Sequence, residues 1–190
     1  MKWIEVEPDI KASPISEWMK GMSAIDMISL ISRNASTPFV VFDSMVKAQI
    51  LRHLRTRNVE LGGLLLGTVI SYDNLKNGVS VIAVTDAIAS DKFESSSVSL
   101  RMDSSVWQKA NAKTNNDFFV VGWYHSHPNL GAFFSDTDRK TQRNFFNQNF
   151  HLGLVIDPIR SEEKWFLGMD SMEIHCDYIF SSVADISRMR

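Results

Sequence analysis

The sequence predicts a mixed α/β domain, a curved central sheet with helices packed on its faces, and three observations point there. Helix-period and strand-period apolar patterns intermix along the chain without strict alternation. The run Leu61 to Ile70, apolar and punctuated by Gly62, Gly63 and Gly67, reads as a buried strand. A length of 190 residues suffices for one domain with a sizeable core, with room for an appendage.

Residues 1–37 read as an N-terminal extension and 38–190 as the main domain, with the boundary in Asn34-Ala35-Ser36-Thr37-Pro38. After Pro14, Ile15, Trp18, Met19, Met22, Ile25, Ile28 and Ile31 recur at helical spacing and predict an amphipathic helix, weakened by Gly21. Its apolar face either docks a partner or a second copy of the chain through residues 14–33, or lies on the domain's own core. Phe39–Phe42 is a short strand. Asp43 or Ser44 then caps a helix to about Arg57, with Val46, Ile50, Leu51 and Leu54 as its buried stripe. His53 falls on the polar side of that stripe and reads as a surface residue.

Leu61–Ile70 and Val79–Ala87 are strands joined by the turn-rich segment Asp73 to Gly78. The polar, serine-rich segment Asp91 to Ser99 has no clear period and reads as a connection or a mobile loop beside a cleft. Ser104 to Asn116 predicts a helix carrying Val106, Trp107 and Ala110 inward. Phe118–Tyr124 is a fully buried strand, Ser135 an N-cap for a helix to about Asn147, and Leu152–Ile156 and Trp165–Met169 are further strands.

Charge and cysteine usage narrow the function classes. The net charge is −2 with both signs interspersed, which leaves no basic footprint for nucleic acid. One cysteine, Cys176, rules out an intrachain disulfide and fits a reducing, cytoplasmic setting. The acidic start lacks the pattern of a signal peptide, and no apolar run is long enough to span a bilayer, so a soluble protein without membrane contact is expected.

The chemistry concentrates in Trp123-Tyr124-His125-Ser126-His127-Pro128 and the following Ser135 and Asp138. Two imidazoles flanking one residue of an extended segment point the same way. Zn²⁺ takes imidazole nitrogens and carboxylate oxygens at about 2.0–2.2 Å, and three protein ligands leave an open position for water, the mark of a catalytic site. His125, His127 and Asp138 supply that set. His175-Cys176-Asp177 also carries ligand types, but strand alternation would send neighbours to opposite faces, which argues against a second metal site.

Glu60 completes a wider pattern. Glu60, His125-Ser126-His127-Pro128, Ser135 and Asp138, with Gly122-Trp123-Tyr124 before them and Val155-Ile156-Asp157-Pro158 after, resemble the JAMM (MPN-type) zinc metallopeptidases over about Pro38 to Asp170. The resemblance implies a three-layer, mixed-sheet α/β fold related to cytidine deaminases. The chain has neither the deaminase signature His-x-Glu with Pro-Cys-x-x-Cys nor the His-Glu-x-x-His of thermolysin-like peptidases. It further implies one zinc per chain on His125, His127 and Asp138, Glu60 as general base, and Ser135 as donor to the oxyanion. Deconjugation or maturation of a ubiquitin-like protein is the implied reaction. The alternatives are hydrolysis of a small amide or sulfur-carrier conjugate, and a non-catalytic MPN scaffold.

Overall fold

Side-chain parity along the central strands sorts their residues into two cores in the computed structural model, which describes residues 10–18, 37–71, 79–90, 93–96, 99–102 and 104–182. The strands are β1 (Ser13–Pro14), β2 (Phe39–Phe42), β3 (Gly62–Ser71), β4 (Val81–Ala89), β5 (Phe93–Ser96), β6 (Ser99–Met102), β7 (Phe119–Ser126), β8 (Leu152–Asp157), β9 (Glu162–Leu167), β10 (Met172–Ile174) and β11 (Ile179–Phe180). The helices are α1 (Ile15–Trp18), α2 (Ser44–Leu54), α3 (Ser104–Asn111) and α4 (Asp136–Phe145), with a 3-10 turn at Cys176–Tyr178.

The main sheet runs β10-β9-β8-β7-β3-β4-β2-β11. β7 lies parallel to β8 and β2 parallel to β4, while β3 is antiparallel to both β4 and β7. Leu65, Val69, Tyr124 and Leu154 go to one face, where Val46, Ile50 and Leu54 of α2 cover them. Leu64, Leu66, Trp123 and Val155 go to the other, against Val106 and Ala110 of α3 and Phe146 at the end of α4. Helix, mixed sheet and helix thus make three layers, as the resemblance implies. Two register shifts in β3, between Leu65 and Leu66 and between Leu66 and Gly67, curve the sheet. The curvature brings its ends together. Phe42 of β2 packs edge-to-face on Trp165 of β9 at 4.9 Å, and residues 175–178 link β10, at one end of the sheet, to β11 at the other.

Beyond the stretch where β7 flanks β3, β1 takes its place, with Ser13 opposite Ile70. Ile15 is buried with Phe39, Val41, Ile70 and Phe180, so this part of the extension packs on the sheet. The predicted N-terminal helix begins as α1, but most of it, and of the docking surface expected at 14–33, lies outside the described residues. Asp43 caps α2, its Oδ1 accepting from Met45 N at 2.7 Å and Val46 N at 3.4 Å.

Three expectations are corrected. Within the polar segment predicted at Asp91–Ser99, of which residues 91, 92, 97 and 98 lie outside the described residues, Phe93–Ser96 pairs antiparallel with Ser99–Met102 as a separate two-stranded sheet. Backbone pairing makes this hairpin, and side-chain periodicity does not register it. His53 is half-buried, its Nδ1 3.0 Å from the Tyr124 hydroxyl, because a buried tyrosine needs a partner for its polar tip. His175-Cys176-Asp177 is no strand. His175 caps the 3-10 turn, and one ligand-type atom from each of the three side chains lies within 4.8 Å of the others.

Candidate metal centre

The site begins with where β7 ends. His125 sits opposite Gly62 of β3 and Val155 of β8, at the middle of the sheet, and its side chain is fully buried. Trp123, two residues earlier on the same face, stacks flat on the imidazole at 4.6 Å with rings 7° apart. Gln142 of α4 holds Trp123 in turn: Trp123 Nε1 donates to Gln142 Oε1 at 2.7 Å. Gln142 Nε2 donates to Phe146 O at 3.1 Å and His151 O at 3.0 Å, so this buried amide is fully used.

His127 lies just past the strand, where its N–H donates to Ile156 O at 3.0 Å. Asp157 shapes the loop that follows. Its buried carboxylate accepts from four backbone N–H groups: Asn129 at 3.1 Å, Gly131 at 2.8 Å, Ile159 at 2.9 Å and Arg160 at 3.1 Å. Burial alone would raise its pKa; these donors outweigh that and bring it down to about 2. Asn129 and Gly131 both take positive φ, 63° and 89°, in the tight turn so produced.

Ser135 starts α4 as the N-cap of a reciprocal capping box. Asp138 N donates to Ser135 Oγ at 3.2 Å, and the Asp138 Oδ2 accepts from Ser135 N at 2.7 Å and from Ser135 Oγ at 2.6 Å. The box turns the Asp138 carboxylate back toward the histidines. His125 Nε2 and His127 Nε2 are 3.1 Å apart, His125 Nε2 lies 3.1 Å from Asp138 Oδ1, and His127 Nε2 lies 3.5 Å from Asp138 Oδ2.

These separations test the fit to zinc. Tetrahedral ligands at about 2.0–2.2 Å from one cation stand about 3.3–3.5 Å from each other. Two imidazoles and a carboxylate already within that spacing need only small movements. The protonation states agree. Burial, then the neighbouring His125, holds the His127 pKa below its ordinary value against the opposing pull of Asp138 and Glu60, so the ring is neutral and its nitrogen can ligate. Burial works to raise Asp138, but hydrogen bonding and charge from His125 and the donors of Ser135 win, leaving it ionised.

Glu60, half-buried, ends the segment leading into β3, and its charge reaches His127. The same structure therefore gathers His125, His127, Asp138 and Ser135 directly, with Glu60 near enough for its charge to act on His127. Of the two loop phenylalanines, Phe133 is 45% exposed with its ring 4.9 Å from His127, whereas Phe134 is core, stacked on Phe166 at 3.9 Å. Gly153 of β8 makes room for it, since a Cβ there would stand 2.3 Å from the Phe134 ring.

Three residues hold the site in roles that the sequence reading did not assign. Ser126, between the histidines, is fully buried and bonded to Leu61. Strand parity sends it to the face opposite the histidines, where a polar side chain must find a partner. Gln142 stands one turn after Asp138 on α4, a polar residue on the inward side. Asp157 closes an apolar strand just before Pro158, a position where a carboxylate caps the following turn.

Residues 36–149 match the family described as JAB1/Mov34/MPN/PAD-1 ubiquitin protease. Among curated proteins, the ubiquitin carboxyl-terminal hydrolase RPN11 of Saccharomyces cerevisiae is 32% identical over 135 residues, covering 68% of this chain and 42% of its own length. COP9 signalosome complex subunit 5 of Candida glabrata is 25% identical over 142 residues, covering 73% of this chain and 30% of its own. The 26S proteasome non-ATPase regulatory subunit 14 of Dictyostelium discoideum is 32% identical over 124 residues, covering 62% and 38% respectively. The chain thus matches less than half the length of these relatives. Among solved structures, protein DSY2949 of Desulfitobacterium hafniense shares the fold at a TM-score of 0.56 and 22% identity, over 74% of this chain and 91% of that one.

Proposed function

The chain belongs to the JAB1/Mov34/MPN/PAD-1 ubiquitin protease family, and from that premise we propose that it is a zinc-dependent isopeptidase or peptidase that removes or matures a ubiquitin-like protein modifier. The observation that carries this reading is the convergence of His125 Nε2, His127 Nε2 and the Asp138 carboxylate within 3.1–3.5 Å, within the electrostatic reach of Glu60. A non-catalytic scaffold has no need to keep that set together. Similarity to a ubiquitin carboxyl-terminal hydrolase and to the JAB1/Mov34/MPN/PAD-1 ubiquitin protease family supports the substrate class.

His125, His127 and Asp138 would hold the cation. When bound, zinc supplies Lewis acidity, polarising a carbonyl and making water acidic enough to attack near neutral pH. Glu60 takes the proton of the attacking water on a carboxylate oxygen and passes it to the departing lysine nitrogen. Ser135 Oγ, which donates to Asp138 Oδ2 in the free protein, turns to donate to the carbonyl oxygen as negative charge develops there. Trp123, held by Gln142, keeps the His125 ring from rotating away.

An extended C-terminal tail can dock by adding a strand to an exposed sheet edge, a mode that reads backbone. In this reading the β5–β6 hairpin receives it. β6 lies against α4, the helix that carries Asp138. The exposed ring of Phe133 forms the apolar wall beside His127. Among the described residues no helix is long and apolar enough to cross a membrane, and a reducing, cytoplasmic setting belongs to the same proposal.

The test is incubation of the protein with a panel of ubiquitin-like conjugates and small amides, with and without a chelator. Cleavage of a protein conjugate that the chelator abolishes and zinc restores is the expected result. Cleavage confined to small amides would redirect the substrate assignment, and cleavage of nothing under zinc-replete conditions would overturn it. Replacing residues 91–102 by a short Gly-Ser linker is expected to raise KM for the conjugate while leaving zinc content unchanged.

A further inference from the structure

A second cluster of ligand-type side chains lies away from the first. Residues 175–178 join Ile174 of β10, paired with Trp165, to Ile179 of β11, paired with Val40, and so clasp the two ends of the sheet. The joint is held in shape without any cation. Tyr178 N donates to His175 O at 3.0 Å, Ile179 N donates to Cys176 O, and the Tyr178 ring stacks on Phe39 at 5.7 Å. On this frame His175 Nδ1 stands 3.2 Å from Asp177 Oδ2, and Cys176 Sγ stands 3.9 Å from both His175 Nδ1 and Asp177 Oδ1.

We propose that His175, Cys176 and Asp177 form a second cation site, taking a divalent transition metal of the zinc and cobalt kind at the clasp between the two sheet edges. Thiolate, imidazole and carboxylate together suit a borderline-soft cation; magnesium and calcium prefer oxygen alone. Around such a cation, with sulfur at about 2.3 Å and nitrogen or oxygen at about 2.0–2.2 Å, the ligand atoms stand about 3.3–3.6 Å apart. With one atom taken from each residue, all three lie within 4.8 Å of one another, so a modest closing movement brings them into that range. His175 and Asp177 have side chains 69% and 65% exposed, so exposed rotamers can close the remaining gap. His175 Nδ1 also accepts from Asp177 N, but at 3.4 Å that contact is long and leaves the lone pair available.

Binding replaces the Cys176 S–H bond by a sulfur–metal bond and releases one proton to solvent. A cavity of about 390 Å³, lined by His175 and Cys176 together with Phe42, Lys47 and Trp165, adjoins the cluster and gives a fourth ligand, water or a small anion, room to enter. Because the cation ties residues of the joint, occupancy raises resistance to unfolding.

Cobalt(II) titration of the full, reduced chain tests this, since a thiolate ligand gives a near-ultraviolet charge-transfer band that a site of two histidines and an aspartate does not. The band is expected in the wild type, saturating at one cobalt–thiolate per chain, retained in His127→Ala and lost in Cys176→Ser. His175→Ala and Asp177→Asn should each weaken cobalt binding at the band by at least about tenfold, since even outer partners of a ligand are worth about 10- to 100-fold. A cobalt-dependent rise in Tm in His127→Ala, absent when Cys176→Ser is added, checks the link to stability. Absence of the band at saturating cobalt overturns the proposal. So does a band whose affinity is unchanged in both His175→Ala and Asp177→Asn, which would mean Cys176 binds cobalt alone. Failure of the His125–His127–Asp138 site leaves the thiolate band untouched, so the two outcomes separate.

Discussion

Ser126 Oγ accepts from Leu61 N at 3.1 Å while Ser126 N donates to Leu61 O at 2.9 Å. The residue between the two histidines therefore grips the residue that follows Glu60, and fixes the distance between the proposed base and the proposed metal. Ser126→Ala leaves the buried Leu61 N without its side-chain acceptor, at a cost of about 1–3 kcal/mol. Zinc content and KM are expected to stay unchanged while kcat drops by about ten- to a hundredfold, as misplaced catalytic groups do. Steady-state kinetics beside metal analysis reads this. An unaltered kcat would mean Glu60 needs no such clamp.

Glu60→Gln separates chemistry from binding. The amide keeps the shape but accepts no proton, so zinc and substrate are bound while turnover falls by about a hundredfold to ten-thousandfold. Single-turnover cleavage of a conjugate, with zinc measured on the same sample, is the check. Retention of near wild-type turnover would reduce Glu60 to a structural residue.

Much of this was legible in the sequence because its signals are local. His125 and His127 lie two apart, and Ser135 to Asp138 is a capping-box spacing, so the candidate ligand set and the helix start could be read from neighbours alone. The Leu61–Ile70 run and the stripe Val46, Ile50, Leu51, Leu54 likewise announce buried elements, and they are buried, Leu51 only partly. What stayed hidden depends on contacts between distant residues. The partner of His53 is Tyr124, 71 positions away, and the partner of Trp123 is Gln142 on another element. The β5–β6 hairpin is held by backbone pairing, which no side-chain period reports. Cys176 and its neighbours were read as strand residues, whereas they form a 3-10 turn capped by His175, which the sequence pattern does not announce.

Gln142→Leu removes the acceptor of Trp123 Nε1 and the donor to Phe146 O and His151 O in one step. A buried N–H without a partner costs about 1–3 kcal/mol by itself. Urea unfolding is expected to show a lower midpoint with an unchanged slope, and the zinc affinity of the folded variant should weaken as His125 loses its stacked support. Stability equal to the wild type would show that the network contributes nothing net.

Acid sensitivity has an assignable source. Burial lowers the His151 pKa from 6.5 to about 4, and its neutral Nδ1 accepts from Gln148 N at 3.2 Å. Between those two values the unfolded chain binds more protons than the folded one. Stability from this group is thus fully present above about pH 6.5 and is lost as pH falls toward 4, by up to about 3 kcal/mol. His151→Gln keeps an acceptor and cannot titrate. Metal-free wild type and variant compared by urea unfolding at pH 7.5 and 4.5 should differ in slope, the variant losing less on acidification. Equal losses in the two proteins would place the acid sensitivity elsewhere.

The central claim is that His125, His127 and Asp138 hold one zinc ion that the reaction requires. Metal analysis of the Cys176→Ser protein, in which the thiol cannot contribute, tests it most directly, run against the same protein carrying His127→Ala. One zinc per chain in the first and none in the second, with conjugate cleavage following the metal, is the predicted result. A protein that takes up no zinc under replete conditions, or that holds it equally well without His127, contradicts the account.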